Sequence, residues 1–93
     1  MKIVLNRCFG GFSFSDFAVE KLGLTSCYEE VPRNDPKLIK LVEEDAEKMS
    51  GICAKLQVVE FPDNCTDWEI DEYDGYENVT YVVDGKIHHD YQK

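Results

Sequence analysis

Two Asp-Gly pairs restrict the possible folds of this chain more strongly than any other feature of its sequence. The first pair, Asp74-Gly75, lies between two runs of high β-propensity, Asp67–Tyr73 and Tyr76–Val83. Asp-Gly favours the two-residue type I′ turn, whose twist matches that of paired antiparallel strands. This arrangement therefore predicts a C-terminal β-hairpin.

The second pair, Asp84-Gly85, predicts another tight turn, which returns residues 86–91 as a short edge strand. Two more β-prone runs lie earlier in the chain, at residues 2–6 (KIVLN) and 54–61 (AKLQVVEF). The first of these runs is short and centred on three consecutive apolar residues, so it is the best candidate for a central strand.

Two segments between these β-prone runs favour helices. Ser15 is suited to cap a helix that stops at Gly23. Asp35 followed by Pro36 is a stronger start signal, since it places an N-cap residue before a proline at the first helical position. An apolar stripe at helical spacing follows and ends at Gly51, so this pattern predicts one continuous second helix.

Together these elements predict an α+β fold with a single domain over residues 1–93. We expect a small mixed sheet of about four to five strands, two helices packed on one of its faces, and the C-terminal β-hairpin. The apolar runs are far shorter than the roughly 18 residues that a membrane-spanning helix requires. No secretory signal pattern is present and the four cysteines are widely spaced, so we expect reduced thiols and a cytoplasmic location.

The net charge of -9 is unevenly distributed along the chain. Residues 56–85 contain nine of the 19 acidic residues and no lysine or arginine, so the remainder of the chain is neutral. A field of this sign repels phosphate backbones, which argues against direct nucleic-acid binding through this region. It would attract a basic surface on another protein. The alternative is that the acids only keep a small protein soluble.

Aromatic residues alternate with carboxylates in the predicted hairpin. If Asp67–Tyr73 is a strand, one face has Glu69, Asp71 and Tyr73, and the other has Trp68 and Ile70. Aromatic residues are favoured anchors at protein interfaces, whereas a hairpin with a hydrated acidic face is the structural alternative. The candidate partner-binding residues are Trp68, Glu69, Asp71, Glu72, Tyr73, Asp74, Tyr76 and Glu77.

The loop of residues 8–15 joins the first predicted strand to the first predicted helix and contains adjacent glycines. Glycines allow backbone amides to approach a ligand closely, and the positive end of a helix attracts anions. The alternative is a sharp turn flanked by phenylalanines that pack into the core, at Phe9, Phe12 and Phe14. The candidate anion-binding residues are Arg7, Gly10, Gly11, Ser13 and Ser15.

The sequence predicts neither an enzyme nor a metal site. His88 and His89 are adjacent on a predicted strand, so their side chains point to opposite faces and are poorly placed to share one ion. Spacing assembles no nucleophile, base and oxyanion donor. We therefore expect a non-enzymatic protein without a cofactor.

Four segments, KIVLNRCFGGFSFS, VPRNDPKLIKLVEE, GICAKLQVVEFP and WEIDEYDGYE, resemble a family of short, uncharacterised proteins encoded by bacteriophages and prophages. The similarity extends to about Glu77. The resemblance implies a small accessory protein that acts in the host cytoplasm during infection, in a host-modifying or counter-defence role.

Two functional hypotheses follow from the residues and from the resemblance. The first is binding of a host protein with a basic surface through the acidic, aromatic C-terminal half. The alternative is a small-molecule binder that holds a phosphate-bearing ligand or nucleotide signal at the loop of residues 8–15.

Overall fold

The computed structural model of the protein describes residues 1–90, which confirm the predicted α+β class. Tyr91, the last residue of the predicted edge strand, lies outside the described residues. The described part of the chain contains five strands and three helices. In chain order these are β1 (Lys2–Asn6), α1 (Asp16–Leu22), α2 (Pro36–Glu44), α3 (Ala46–Met49), β2 (Leu56–Glu60), β3 (Asp67–Tyr73), β4 (Tyr76–Val83) and β5 (Lys86–Asp90).

The strands form two antiparallel sheets, and the prediction of one mixed sheet was wrong. β1 pairs with β2, with Val4 opposite Val58, while β3, β4 and β5 form a three-stranded meander. The other edge of β1 is covered at Val4 by the Arg33 segment. The amide of Val4 donates to the carbonyl of Arg33 at 2.9 Å, and the Arg33 side chain donates to the carbonyl of Val4 at 3.1 Å. Because this segment and not a strand occupies the edge, the pairing of β1 ends there.

β1 contributes to two hydrophobic clusters, because successive side chains of a strand point to opposite faces. On one side, Val4 belongs to a cluster with the helix residues Ala18, Leu38, Val42 and Met49, together with Phe14 before α1 and Leu56 of β2. On the other side, Ile3 and Leu5 belong to a second cluster, with Val59, Phe61 and Val79. β1 thus lies between the helices and the three-stranded sheet.

The predicted helix starts are formed by the predicted side chains. Ser15 Oγ accepts a hydrogen bond from the amide of Ala18 at 3.1 Å, and Asp35 Oδ2 accepts one from the amide of Leu38 at 3.0 Å. The predicted continuous second helix is instead two helices, α2 and α3. Asp45 interrupts it in an extended conformation, with φ of -161°, and its side chain caps α3. No helix within residues 1–90 is long and apolar enough to cross a membrane.

Both Asp-Gly turns form as predicted, each as a two-residue loop. The register places Tyr73 opposite Tyr76 in the first hairpin and Val83 opposite Lys86 in the second. Both turn residues have positive φ in each case, as a type I′ turn requires. The values are 52° at Asp74, 90° at Gly75, 53° at Asp84 and 74° at Gly85.

Candidate functional site

The two faces of β3 have the predicted division of side chains. Trp68 and Ile70 pack against the second hydrophobic cluster, while Glu69 is exposed on the opposite side. We call this opposite side the outer face, with Glu69, Asp71, Thr80 and His89 as its members. The inward anchoring of Trp68 removes it from the predicted partner surface, because its indole already packs on Phe61 at 5.9 Å between ring centroids.

A chain of hydrogen bonds crosses the three strands of the outer face. Thr80 Oγ1 on β4 donates to Asp71 Oδ2 on β3 at 2.5 Å. The same oxygen lies 3.0 Å from Nδ1 of His89 on β5, which donates to it when that nitrogen carries a proton. The Asp71 carboxylate is therefore held in one position on the sheet.

Glu77 is buried and therefore stands apart from the partner surface predicted from the sequence. Its side chain is 7% exposed, and the Arg33 guanidinium donates to both of its carboxylate oxygens, at 2.6 and 2.8 Å. The amide of Asn6 donates to the same carboxylate at 2.8 Å. The sequence contained a signal for this position, because Glu77 alternates with Val79 on β4 and so lies on its core face.

Arg7 is also buried, and the structure does not bring it into an anion site. Its guanidinium donates to the carbonyl of Glu77 at 3.0 Å, to Asn78 Oδ1 at 2.7 Å and to Asp90 Oδ2 at 2.8 Å. Its Nε is buried and has no hydrogen-bond partner within the described residues. The guanidinium therefore connects the end of β1 to β4 and β5, and only 6% of Arg7 is exposed.

The glycine loop and the β3–β4 turn, two separate candidates in the sequence, are in direct contact. The amide of Gly10 donates to the carbonyl of Asp74 at 3.2 Å. The side-chain amide of Asn6 donates to the carbonyl of Gly75 at 2.7 Å. A Cβ atom at Gly75 would lie 2.2 Å from the amide nitrogen of Gly11, so the two backbones touch. Sequence reasoning missed Asn6, which joins these segments.

Ser13 and Ser15 lie on a different side of the loop, at a cleft of about 590 Å³. Ser15 Oγ caps α1 and donates to the carbonyl of Lys48, and the amide of Ser15 donates to the carbonyl of Met49. Asp16 lines the cleft, whereas no lysine or arginine among residues 1–90 does so. These groups are thus used within the fold, and the lining offers a phosphate no positive side chain.

Phe9 is exposed, contrary to the alternative in which it packs into the core. Phe14 is buried, whereas 60% of Phe9 is accessible. The Phe9 ring contacts two tyrosines of the hairpin, with centroid distances of 5.3 Å to Tyr76 and 6.5 Å to Tyr73. We call Phe9, Tyr73 and Tyr76 the aromatic corner. It stands at the hairpin tip because the Gly10 loop packs on the turn.

The adjacent histidines point to opposite faces of β5, as predicted. His88 stacks on Tyr81 at 5.3 Å, while His89 lies on the outer face. Within residues 1–90, no three His, Cys, Asp or Glu side chains are grouped to hold a metal ion. The four cysteines are free thiols, of which Cys53 is exposed.

The resolved pKa shifts belong to surface groups outside this region. A hydrogen bond from the N-terminal ammonium, reinforced by its charge, lowers the pKa of Asp63. Hydrogen bonds from Thr25 lower the pKa of Glu29, and a hydrogen bond to Glu43 raises the pKa of Lys2. These shifts are those of ordinary surface contacts and mark no reactive group.

Comparison of the chain with protein-family models, curated proteins and solved structures finds no match. The resemblance to phage-encoded proteins therefore stays a prediction. The fold brings together Gly10, Gly11, Tyr73, Asp74 and Tyr76 at the hairpin tip, with the aromatic corner. Glu69 and Asp71 lie on the outer face of β3, whereas Arg7 and Glu77 are buried in the interior.

Proposed function

We propose that this protein is a non-enzymatic binding protein that engages a basic surface of a host protein through the β3–β4 hairpin. The observation that carries the proposal is the imbalance of exposed charge on this hairpin, which contains no lysine or arginine. Its one buried carboxylate, Glu77, is paired with Arg33. The others are exposed or half-exposed, at Asp67, Glu69, Asp71, Glu72 and Asp74.

The internal pairing of Glu77 makes this imbalance stronger at the surface. Arg33 pairs with the buried Glu77, and Arg7 pairs with Asp90. Neither arginine therefore directly offsets the exposed acids of the hairpin. Exposed charges of one sign on two neighbouring strands increase the magnitude of the local electrostatic potential. This increases the association rate of an oppositely charged partner.

The hairpin is also held rigidly, which favours binding. Asp71 is fixed by Thr80, and the turn is fixed by hydrogen bonds from Gly10 and Asn6. A surface that is already ordered loses less conformational entropy when a partner docks. One mechanism that fits is occupation of a nucleic-acid-binding site, since regularly placed carboxylates resemble phosphates in charge. The resemblance to phage-encoded proteins supports a counter-defence or host-modifying role.

The test neutralises three acids of the hairpin, with Asp71→Asn, Glu72→Gln and Asp74→Asn in one variant. Asparagine tolerates the positive φ at position 74, so the turn is kept. The matched control neutralises three exposed acids on the helices, with Glu20→Gln, Glu44→Gln and Glu47→Gln. Both variants change the net charge equally, so a difference between them reports the position of the charges.

The probe is an oligolysine peptide, with affinity measured by calorimetry at several salt concentrations. The hairpin variant should bind about tenfold more weakly, from exposed pairs worth about 0.2–1 kcal/mol each. The loss should be larger at low salt. Equal loss in the control variant, or no loss in the hairpin variant, contradicts the proposal. Pull-down from a bacterial lysate with the same three proteins then identifies partners that depend on the hairpin acids.

The cleft at Ser13 and Ser15 keeps a small-molecule binder as the second candidate. It is a cavity of suitable size, next to the predicted loop. Its lining includes Asp16 and, among the described residues, no lysine or arginine, which disfavours a phosphate. A thermal-shift panel of nucleotides and phosphates should leave the melting temperature unchanged. A stabilising phosphate whose effect is lost in Ser13→Ala would favour this candidate instead.

A further inference from the structure

The aromatic corner is an exposed apolar surface that the fold holds in place without covering. Phe9 is 60% and Tyr73 is 77% exposed, although aromatic side chains release the most free energy when they are buried. The Phe9 and Tyr73 rings meet nearly at right angles, with an interplanar angle of 84°. The two rings therefore form the two sides of an open angle at the hairpin tip.

The rings are fixed relative to each other by the backbone beneath them. Phe9 precedes Gly10, whose amide is bonded to Asp74, and Tyr73 precedes Asp74 itself. The two chain segments that present the rings are therefore joined immediately beside them. Exposed aromatic side chains that are ordered in advance are the typical anchors of protein interfaces.

The charge around the corner selects a cation. Asp71 lies on the same face of β3 as Tyr73 and is half-exposed, and Asp74 follows Tyr73 in the turn and is exposed. The one nearby arginine, Arg7, lies 6.0 Å from the centroid of the Tyr76 ring and is engaged by Asn78 and Asp90 inside the protein. It shows that a ring of this corner accepts a guanidinium. Residues 71–77 contain four carboxylates and no lysine or arginine.

We infer that the aromatic corner receives an arginine side chain of the basic partner, an inference that rests on the proposed function. The guanidinium stacks against Phe9 or Tyr73 and donates hydrogen bonds to the carboxylate of Asp71 or Asp74. Arginine fits better than lysine, because its planar group both stacks on a ring and donates to a carboxylate in fixed geometry. The outer face supplies the long-range attraction, and the corner supplies residue specificity.

The experiment compares two peptides of equal charge, an oligolysine and the same oligolysine with one central arginine. The arginine peptide should bind the wild-type protein about three- to tenfold more tightly, which is the range for one or two cation–aromatic contacts. The double variant Phe9→Leu, Tyr73→Leu should bind both peptides equally. The control Tyr28→Leu removes an aromatic ring that is 76% exposed elsewhere, and it should keep the preference for arginine. Circular dichroism verifies that each variant is folded.

The outcomes separate this inference from the proposed function. If the wild-type protein binds both peptides equally, or the double variant keeps the preference, the arginine site is refuted. The proposed function survives that result when the hairpin-acid variant still weakens binding of both peptides. If neutralising the hairpin acids has no effect beyond that of the helix control, the proposed function fails and the arginine site fails with it.

Discussion

Alanine at Gly75 should destabilise the protein far more than alanine at Gly85, although both glycines hold the same position in an Asp-Gly turn. At Gly85, no described atom lies within 4 Å of the new Cβ, so the cost is that of the positive φ. A left-handed conformation costs a non-glycine residue about 1–2 kcal/mol. The entropy that alanine removes from the unfolded chain offsets about 0.4–1 kcal/mol of this. Gly85→Ala should therefore cost about 1 kcal/mol.

Gly75→Ala adds a steric conflict to the same conformational cost. Its Cβ would lie 2.2 Å from the amide nitrogen of Gly11 and 2.8 Å from that of Gly10. Both are backbone atoms, which cannot rotate away, and overpacking of this kind costs about 1–3 kcal/mol. Displacement of the loop also weakens the hydrogen bonds from Gly10 and Asn6, each worth about 0.5–1.5 kcal/mol. The difference between the two variants should be at least about 2 kcal/mol.

Urea unfolding, followed by the fluorescence of Trp68 and by circular dichroism, measures this difference. Both variants should have the m-value of the wild-type protein, so that differences in the urea midpoint report differences in stability. In thermal unfolding the gap should be about 10 °C, since 1 kcal/mol corresponds to about 4–8 °C in a domain of this size. Equal losses at Gly75 and Gly85 would show that the glycine loop does not pack on the first turn.

Further predictions concern the buried pair, a helix cap, a thiol and a surface carboxylate. Glu77→Ala should cost about 3–5 kcal/mol in urea unfolding because it leaves Arg33 without its partner. Its cross-strand neighbour is exposed, and Glu72→Ala should change stability by less than about 0.5 kcal/mol. Asp35→Ala should cost about 1 kcal/mol through loss of the α2 cap. Alkylation followed by mass spectrometry should modify Cys53 before the other thiols. The pair with the N-terminus lowers the pKa of Asp63 from its usual 3.8. The stability from this pair is therefore fully present above pH 3.8 and is lost as the pH falls through the lowered pKa. Asp63→Asn should remove that part of the dependence of stability on acid pH.

The elements that could be predicted from the sequence are those determined by neighbouring residues. An Asp-Gly pair selects its turn through the φ values of two residues, and Asp35 selects a helix start by bonding an amide three residues further on. The division of β3 into an inner and an outer face follows from its alternation alone. Each of these choices is made within a few residues, so no knowledge of the tertiary structure is required.

The partition into two sheets and the interior polar network could not be predicted in the same way. β1 and β2 pair across about fifty residues. No local pattern indicates that the Arg33 segment covers the free edge of β1. Arg7 and Glu77 resemble surface residues by type, since charged side chains are rarely buried unless they are paired. Only the alternation of Glu77 with Val79 indicated its burial, and that signal was obscured by the surrounding acids.

The central position of β1 has a consequence for how the protein is made. This strand precedes the other described elements in the chain, yet the register partner of Lys2 is Glu60, and the second hydrophobic cluster includes Val79. At about 5–20 residues per second, translation of the intervening residues to position 60 takes several seconds. During that time β1 has no β2 to pair with. Contacts between residues so distant in sequence also slow folding, so we expect β1 to reach its final packing only after Val79 has been synthesised.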